Sequence, residues 1–336
     1  MKVLVTGATG RIGTHVTRGL LEAGHSVRVV VMPGDPRIAS IPSADVDVRE
    51  ARLQDTEALR DAVTGVDAVF HLAAALPSRG SSDSDFFDIN LRGTFDLLCA
   101  VRDLAPNLVR FVYASSDTVY SDNPDAPNAA ITELTPKRPV TIYGASKSAA
   151  EELCMTFWRG YALPVTILRF GGTYDAYELI TPGSVFARQL FTADLIARIE
   201  SFDRPSTEQT ASLEILRALH DGNPRQLFIH ANEHGVPEIR HWGDARDIAT
   251  GCLLTLGNRL ADGEIFGLAG PSSFSAAELV LYISQTTGDP FVEARLPWSS
   301  PPLRFDLAKA RTILGYDPQF SVFASVADAW NEMNRS

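Results

Sequence analysis

Apolar residues recur with two alternating periods through the first half of the chain. Met1–Thr6 (MKVLVT) is a short β-branched apolar run, the pattern of a parallel strand buried on both faces. A glycine-rich turn follows, Gly7-Ala8-Thr9-Gly10-Arg11-Ile12-Gly13. Ile12, Val16 and Leu20 then repeat at helical spacing, and Gly24 is the stop. Val27–Val31 is the second strand. Asp55 is the predicted N-cap of a helix carrying Leu59, Ala62 and Val63, ended by Gly65. Asp67–Leu72 is a further strand, followed by Ala73, Ala74 and Ala75. Residues 77–85 are rich in Ser, Asp and Gly and read as an exposed, mobile loop. Phe86 to Leu104 reads as one long helix with Asn90 facing in. Val109–Ala114 is a strand with Ser115 and Ser116 at its C-terminal end, and 121–139 is a proline-rich loop. A helix carrying Tyr143 and Lys147 follows, then a strand over Val165–Phe170.

From about Gly171 the pattern changes. Helices are predicted near 184–200 and 206–221, then a hairpin over 226–242. Ser206 with Gln209, and Ser275 with Glu278, have capping-box spacing. A helix from Asp244 to Leu256 and a strand over Glu264–Ala269 are expected to return to the first domain. The tail holds a helix after Ser275, a proline-rich crossing at 297–302, and helices after Asp306 and Ser321. No internal repeat is visible.

Strand, glycine turn, helix and strand in this order predict a dinucleotide site. The glycines let the backbone approach a pyrophosphate, which rests at the helix N-terminus. A loop glycine alone serves only a turn; its place after the first strand carries the argument.

Composition removes several function classes. The chain has 336 residues, 45% hydrophobic and 21% charged, enough for a large core. Its net charge of -11 and the absence of a long basic run argue against nucleic acid and anionic membrane as partners. No apolar run approaches the ~20 residues of a membrane helix, and residues 1–6 lack the regions of a signal peptide. Cys99, Cys154 and Cys252 have no metal-type spacing, which suggests reduced thiols and a cytoplasmic protein. His230, His234 and His241 lack partners of ligand spacing, so no metal is expected. No GxSxG elbow is present, which argues against a hydrolase.

The candidate chemistry is Tyr143-Gly144-Ala145-Ser146-Lys147. On a helix, Tyr143 and Lys147 share a face one turn apart. A phenol is a weak acid, with an ordinary pKa near ~10, and a fixed ammonium beside it lowers that value. Such a pair can move a proton at an alcohol oxygen while a hydride is exchanged at the same carbon.

With TGATGRIG at 6–13, HLAAA at 71–75, ASSDTVY at 114–120 and YGASK at 143–147, the sequence resembles the extended short-chain dehydrogenase/reductases. The match is to their NAD-dependent epimerase/dehydratase branch, nearly end to end. It extends to Asp247-Ile248-Ala249 and RFDLAKARTILGY at 304–316.

The resemblance implies an α/β fold: a Rossmann-type doubly wound parallel sheet with a smaller C-terminal α/β substrate lobe. Residues 1–170, with 244–269 returning, would be the dinucleotide-binding domain, and 171–243 with 270–336 the substrate lobe. Tyr143 is the implied acid/base. Lys147 is implied to bind the nicotinamide ribose and depress the Tyr143 pKa. Ser116 is implied to hold the reacting oxygen. Gly7, Gly10 and Gly13 match the pyrophosphate turn. With them, Arg11, Ile12, Arg52, Leu53, Leu72, Ala73 and Ala74 are expected at the cofactor. Asp117, Arg240 and Arg295 are expected at the substrate, the two arginines as a diphosphate clamp. The plain alternative for Arg240 is a surface salt bridge.

Departures from the family pattern bear on specificity. Val31 stands where NAD-preferring members end the second strand with an acid, and Arg52 stands where an adenine-side aspartate is usual. With Arg11, Arg37 and Arg52 nearby, the reading leans to NADP over NAD. Thr118 replaces the glutamate of the dehydratases, so elimination drops in rank. Gly172 replaces an asparagine of nucleotide-sugar members, and 176–200 departs from the family pattern.

The leading expectation is a nucleotide-sugar epimerase working by transient hydride transfer at a sugar-like secondary alcohol. The alternatives are an NADP-dependent carbonyl reductase or alcohol dehydrogenase and a non-catalytic dinucleotide-sensing protein. The helices at 86–104 and 143–160 are implied to pair with their copies in a homodimer.

Overall fold

A computed structural model describes residues 1–41, 46–121, 129–298 and 302–335. At its centre is a seven-stranded sheet, parallel throughout. Its strands are β1 (Lys2–Thr6), β2 (Ser26–Val31), β3 (Val46–Glu50), β4 (Ala68–His71), β5 (Arg110–Ser116), β6 (Val165–Phe170) and the Glu264–Leu268 strand. The last is one edge; from it the order runs β6, β5, β4, β1, β2, β3. Chain order reverses between β1 and β4, the point where open α/β sheets bind their ligands.

Side-chain alternation explains why these strands read as unbroken apolar runs. Val3 and Val5 of β1 point to one face and join Val16, Leu20, Ile248 and Phe266. Leu4 points to the other and joins Val69, Phe111, Leu97, Ala150 and Phe157. Both faces are covered, so no polar alternation is left to see. The Ala245–Leu253 helix packs on the Arg11–Glu22 helix, where Gly19 leaves room for the Leu253 side chain. The Glu264–Leu268 strand pairs in parallel with β6.

A further apolar cluster lies outside the sheet. Tyr174, Phe186, Phe191, Trp242, Phe274, Leu279 and Val326 form it, with several rings in edge contact.

Several expectations change. β3 (VDVRE) escaped the sequence reading because its alternation is mostly polar, as suits an edge strand. Phe86–Leu104 is not a single α-helix: Phe86–Arg92 is wound as a π turn, and the α-helix starts at Gly93. Residues 77–85 hold two short turns, the second with a Ser82–Asp85 capping box. Of 184–200, only Thr192–Glu200 is α-helical.

The 226–242 hairpin is present only at its tip, where Ala231 bridges Pro237 in antiparallel sense. Leu227–Asn232 pairs in parallel with Phe291–Leu296, a strand the sequence reading missed. Ile239–Arg240 pairs instead with Phe274–Ser275. Both predicted capping boxes are present, at Ser206/Gln209 and Ser275/Glu278. The center of the proline-rich crossing, 299–301, lies outside the described residues, as does 122–128 of the long loop.

Candidate active site

The glycine turn is shaped by contacts no side chain would allow. Gly7 has φ +73°, and a Cβ there would stand 2.7 Å from the Ala73 nitrogen. A Cβ on Gly13 would stand 2.1 Å from the Gly7 oxygen. The turn can therefore lie flat between β1 and the start of the Arg11–Glu22 helix.

Beside it opens a cavity of about 450 Å³, within the range of small-molecule sites. Gly7, Gly10, Leu53, Leu72, Ala73 and Ala74 line it. Thr9, Met32–Arg37 and Gln54 also line it; the sequence reading placed Arg37 near the cofactor and named no role for Asp35 or Gln54. Arg11, Ile12, Gly13 and Arg52 are not on its wall; Arg52 is exposed. A dinucleotide fits these residues: a glycine cradle closed to any Cβ, an apolar slot and a helix N-terminus.

Tyr143 and Lys147 are set by one helix and one strand. Thr141 caps the Ile142–Tyr161 helix, its side chain accepting from the Gly144 N–H at 3.0 Å. This puts Tyr143 in the first turn, over the end of β5. Phe86 meets its ring edge-on at 5.7 Å, in a cluster with Ala75, Leu76 and Ile89 of the cavity wall. Asn90 braces that wall: it accepts from the Ala75 N–H at 2.7 Å and donates to the Ala75 carbonyl at 3.1 Å and Ser146 Oγ at 3.2 Å. Lys147 is buried, and its Nζ donates to the Ala114 carbonyl at 2.9 Å.

The electrostatics of Tyr143 differ from the sequence expectation. Burial raises its pKa above the ordinary phenol value, the Asp117 charge adds to the rise, and a hydrogen bond with Ser116 opposes it. Lys147 does not offset that rise: its Nζ lies 6.0 Å from the Tyr143 ring centre and donates to the Ala114 carbonyl. Burial instead pulls Lys147 itself down to about 8. Asp117 is pushed up to about 6 by withdrawal from solvent, against the hydrogen bond from Ser116 and the charge of Arg240. Ser116 is the hub of this group. Its Oγ donates to Asp117 Oδ1 at 3.0 Å and accepts from the Thr118 hydroxyl at 3.0 Å.

A buried network lies under the site. Glu151, one turn after Lys147, accepts from Ser115 at 2.6 Å and from Arg169 Nε and Nη2 at 2.9 and 2.7 Å. His71 bridges Thr6 and Thr94 at 2.8 and 2.9 Å, and burial lowers it to about 3, so it stays neutral.

The glycine turn, the Ser116–Tyr143–Lys147 group and the parallel sheet fit one family. Residues 3–269 match the NAD dependent epimerase/dehydratase family. The chain belongs to the NAD-dependent epimerase/dehydratase family.

As a member of that family, the protein is a dinucleotide-dependent enzyme. Among curated relatives it is 26% identical to a UDP-glucose 4-epimerase of Streptomyces lividans, over 98% of this chain and 95% of that one. It is 31% identical to the sterol demethylase protein B of Methylococcus capsulatus, over 72% of this chain and 73% of the relative. Among solved structures, a short-chain dehydrogenase/reductase superfamily protein of Agrobacterium tumefaciens with bound NAD matches with a TM-score of 0.87. That pair is 30% identical, covering 100% of this chain and 98% of the other. The UDP-glucuronic acid 4-epimerase of Bacillus cereus, in complex with UDP-glucuronic acid and NAD, shares the fold. Its TM-score is 0.74 at 21% identity, over 100% and 99% of the two chains.

Within this family frame several predicted contacts are corrected. Arg11 does not reach the cavity: Glu178 holds it in a two-point ion pair at 2.5 and 2.6 Å. Arg37 is likewise held by Asp35, through its Nε at 2.9 Å and Nη2 at 2.7 Å. Arg240 pairs with Glu238. Arg295 is exposed, and its guanidinium lies against Gly235 rather than beside Arg240 in the small cavity that Arg240 lines. Trp242 explains Gly172: a Cβ there would stand 2.6 Å from the indole, so the asparagine of nucleotide-sugar members has no room.

Proposed function

We propose that this protein is a nucleotide-sugar epimerase, working by transient hydride transfer at a secondary alcohol of the sugar. The observation that carries the reading is Tyr143 and Ser116 meeting at the C-terminal end of β5, with the dinucleotide-sized cavity opening beside them. A bound nicotinamide dinucleotide supplies reversible hydride exchange. The chain's own groups handle the oxygen. Ser116 holds it, Tyr143 takes or returns its proton, and Lys147 carries charge beneath them and meets the ribose. The 4-epimerase relatives support the sugar class.

NAD is the proposed cofactor, in place of the NADP leaning of the sequence reading. Two of the three arginines behind that leaning are neutralised by carboxylates, and Asp35 adds an acid to the cavity wall. The substrate-lobe division at 171–243 and 270–336 and a cytoplasmic setting belong to this proposal. So does a homodimer through the 86–104 and 142–161 helices, where Phe87, Phe95 and Tyr161 are exposed.

The test is to incubate the purified protein with UDP-glucose and UDP-galactose, without added cofactor, and follow interconversion by NMR. Slow or absent interconversion, with stoichiometric absorbance change at the nicotinamide band when cofactor and a ketone are added, would establish a carbonyl reductase instead. The missing asparagine at Gly172 favours that second reading.

A further inference from the structure

Lys147 is a buried cation with no carboxylate to match it. It is 3% exposed, and among the described residues it forms no ion pair. The acid one turn further along its helix, Glu151, is taken up elsewhere. Ser115 donates to it at 2.6 Å and Arg169 at 2.9 and 2.7 Å, and Lys137 lies 3.2 Å away. The Ala114 carbonyl accepts from the Lys147 Nζ at 2.9 Å. One hydrogen bond does not offset the withdrawal of an ammonium from water.

The remaining support is aromatic. Nζ stands over the Tyr113 ring, 5.1 Å from its centre, inside the roughly 6 Å over which a ring face attracts a cation. Tyr113 is held in place: it is buried on β5, and the ring of His71, its register partner on β4, lies 5.8 Å away. Both of these neighbours are uncharged. Withdrawal from solvent keeps the Tyr113 phenol well above its ordinary pKa, and it also holds His71 neutral. The other titratable groups facing Lys147 are on its own helix, namely Tyr143, Glu151 and Cys154. No second cation competes for the Tyr113 ring face among the described residues.

Resting on the reading that Lys147 serves the proposed hydride exchange, we propose that Tyr113 is its positioning residue: the ring face holds the Lys147 ammonium charged and seated beneath Tyr143. A ring face attracts charge without offering a lone pair, so the ammonium keeps N–H groups for the ribose. Tyr113 touches neither substrate nor cofactor in this arrangement and acts only through Lys147.

The protonation of Lys147 can be read directly. The carbon-13 shift of a lysine Cε follows its charge, and the chain has four lysines, so the Lys147 signal is assigned by its loss in Lys147→Met. The titration is run on the full chain without added cofactor. Tyr113→Phe keeps the ring and should keep the wild-type midpoint to within about 0.3 pH unit. Tyr113→Leu removes the ring and should lower the midpoint by about one unit, a tenfold change in the protonation constant. Phenylalanine analogues with successively more ring fluorines at position 113 keep the shape and drain negative charge from the ring face. They separate the attraction from packing, and they decide the matter if the leucine variant does not fold. The midpoint should fall stepwise along that series. A midpoint that stays level with fluorination, or that rises in Tyr113→Leu, overturns the inference. The alkaline limb of the kcat/KM profile should move down with the midpoint. A limb that stays in place while the midpoint falls would count against Lys147 in the epimerase reading alone, with Tyr113 still shown to hold its charge.

Discussion

Ser116 gives its hydroxyl proton to Asp117, Oγ to Oδ1 at 3.0 Å. The serine expected to hold the substrate oxygen therefore has its one donor committed whenever Asp117 is ionised. Asp117 sits at about 6 instead of the ordinary carboxylate value. Below that point the acid can donate to Ser116 and free the serine proton for the substrate. Asp117→Asn should remove a limb near pH 6 from the kcat/KM profile while changing activity at pH 8 by less than about tenfold. A limb that persists in the variant would assign it to another group.

Asp117 also links pH to stability. Its folded pKa is raised, so the folded state binds more protons than the unfolded one between about pH 4 and 6. Its contribution is complete below that window and is lost as pH rises through it. Asp117→Asn should therefore melt higher than wild type at pH 7, with the difference shrinking towards pH 4, by scanning calorimetry.

Lys147 has the opposite sign of shift for a base. Its pKa falls to about 8, so between about pH 8 and 10.5 the unfolded state binds more protons and stability rises with pH. Lys147→Met should be more stable than wild type in urea at pH 7, by at most about 3 kcal/mol. That gap should close by pH 10. The same variant should lose activity, since the charge beneath Tyr143 is gone.

Tyr143→Phe removes only the proton-carrying oxygen. Activity should fall by about 10²–10⁴-fold, with NAD affinity unchanged by calorimetric titration. Retained activity would remove Tyr143 from the chemistry.

Cofactor choice should follow Asp35 rather than Arg11. Asp35 accepts from Thr9 at 2.8 Å and restrains Arg37. Asp35→Ser frees Arg37 and should shift the NAD-to-NADP affinity ratio towards NADP by about tenfold or more. Arg11→Met should leave the ratio unaltered, because Glu178 already occupies that guanidinium.

Much of this molecule could be read along the chain, and the reason is local. β1, the glycine turn and the helix after it are set by side-chain period and by what a backbone can adopt, so both Gly13 and Thr141 act on neighbours within a few residues. The motif around Ser116, Tyr143 and Lys147 is likewise compact, and its strand and helix were predicted almost to the residue. What only the tertiary structure decided is which charges meet. Glu178 reaches Arg11 from 167 positions away, and Trp242 closes the space over Gly172 from a distant part of the chain. Arg198 and Trp298 come together from separate elements. Charges act through space and across burial, neither of which has a period in the sequence. The pKa of Tyr143 was therefore expected to fall from its spacing to Lys147, and rises because desolvation outweighs a cation that is turned towards Ala114.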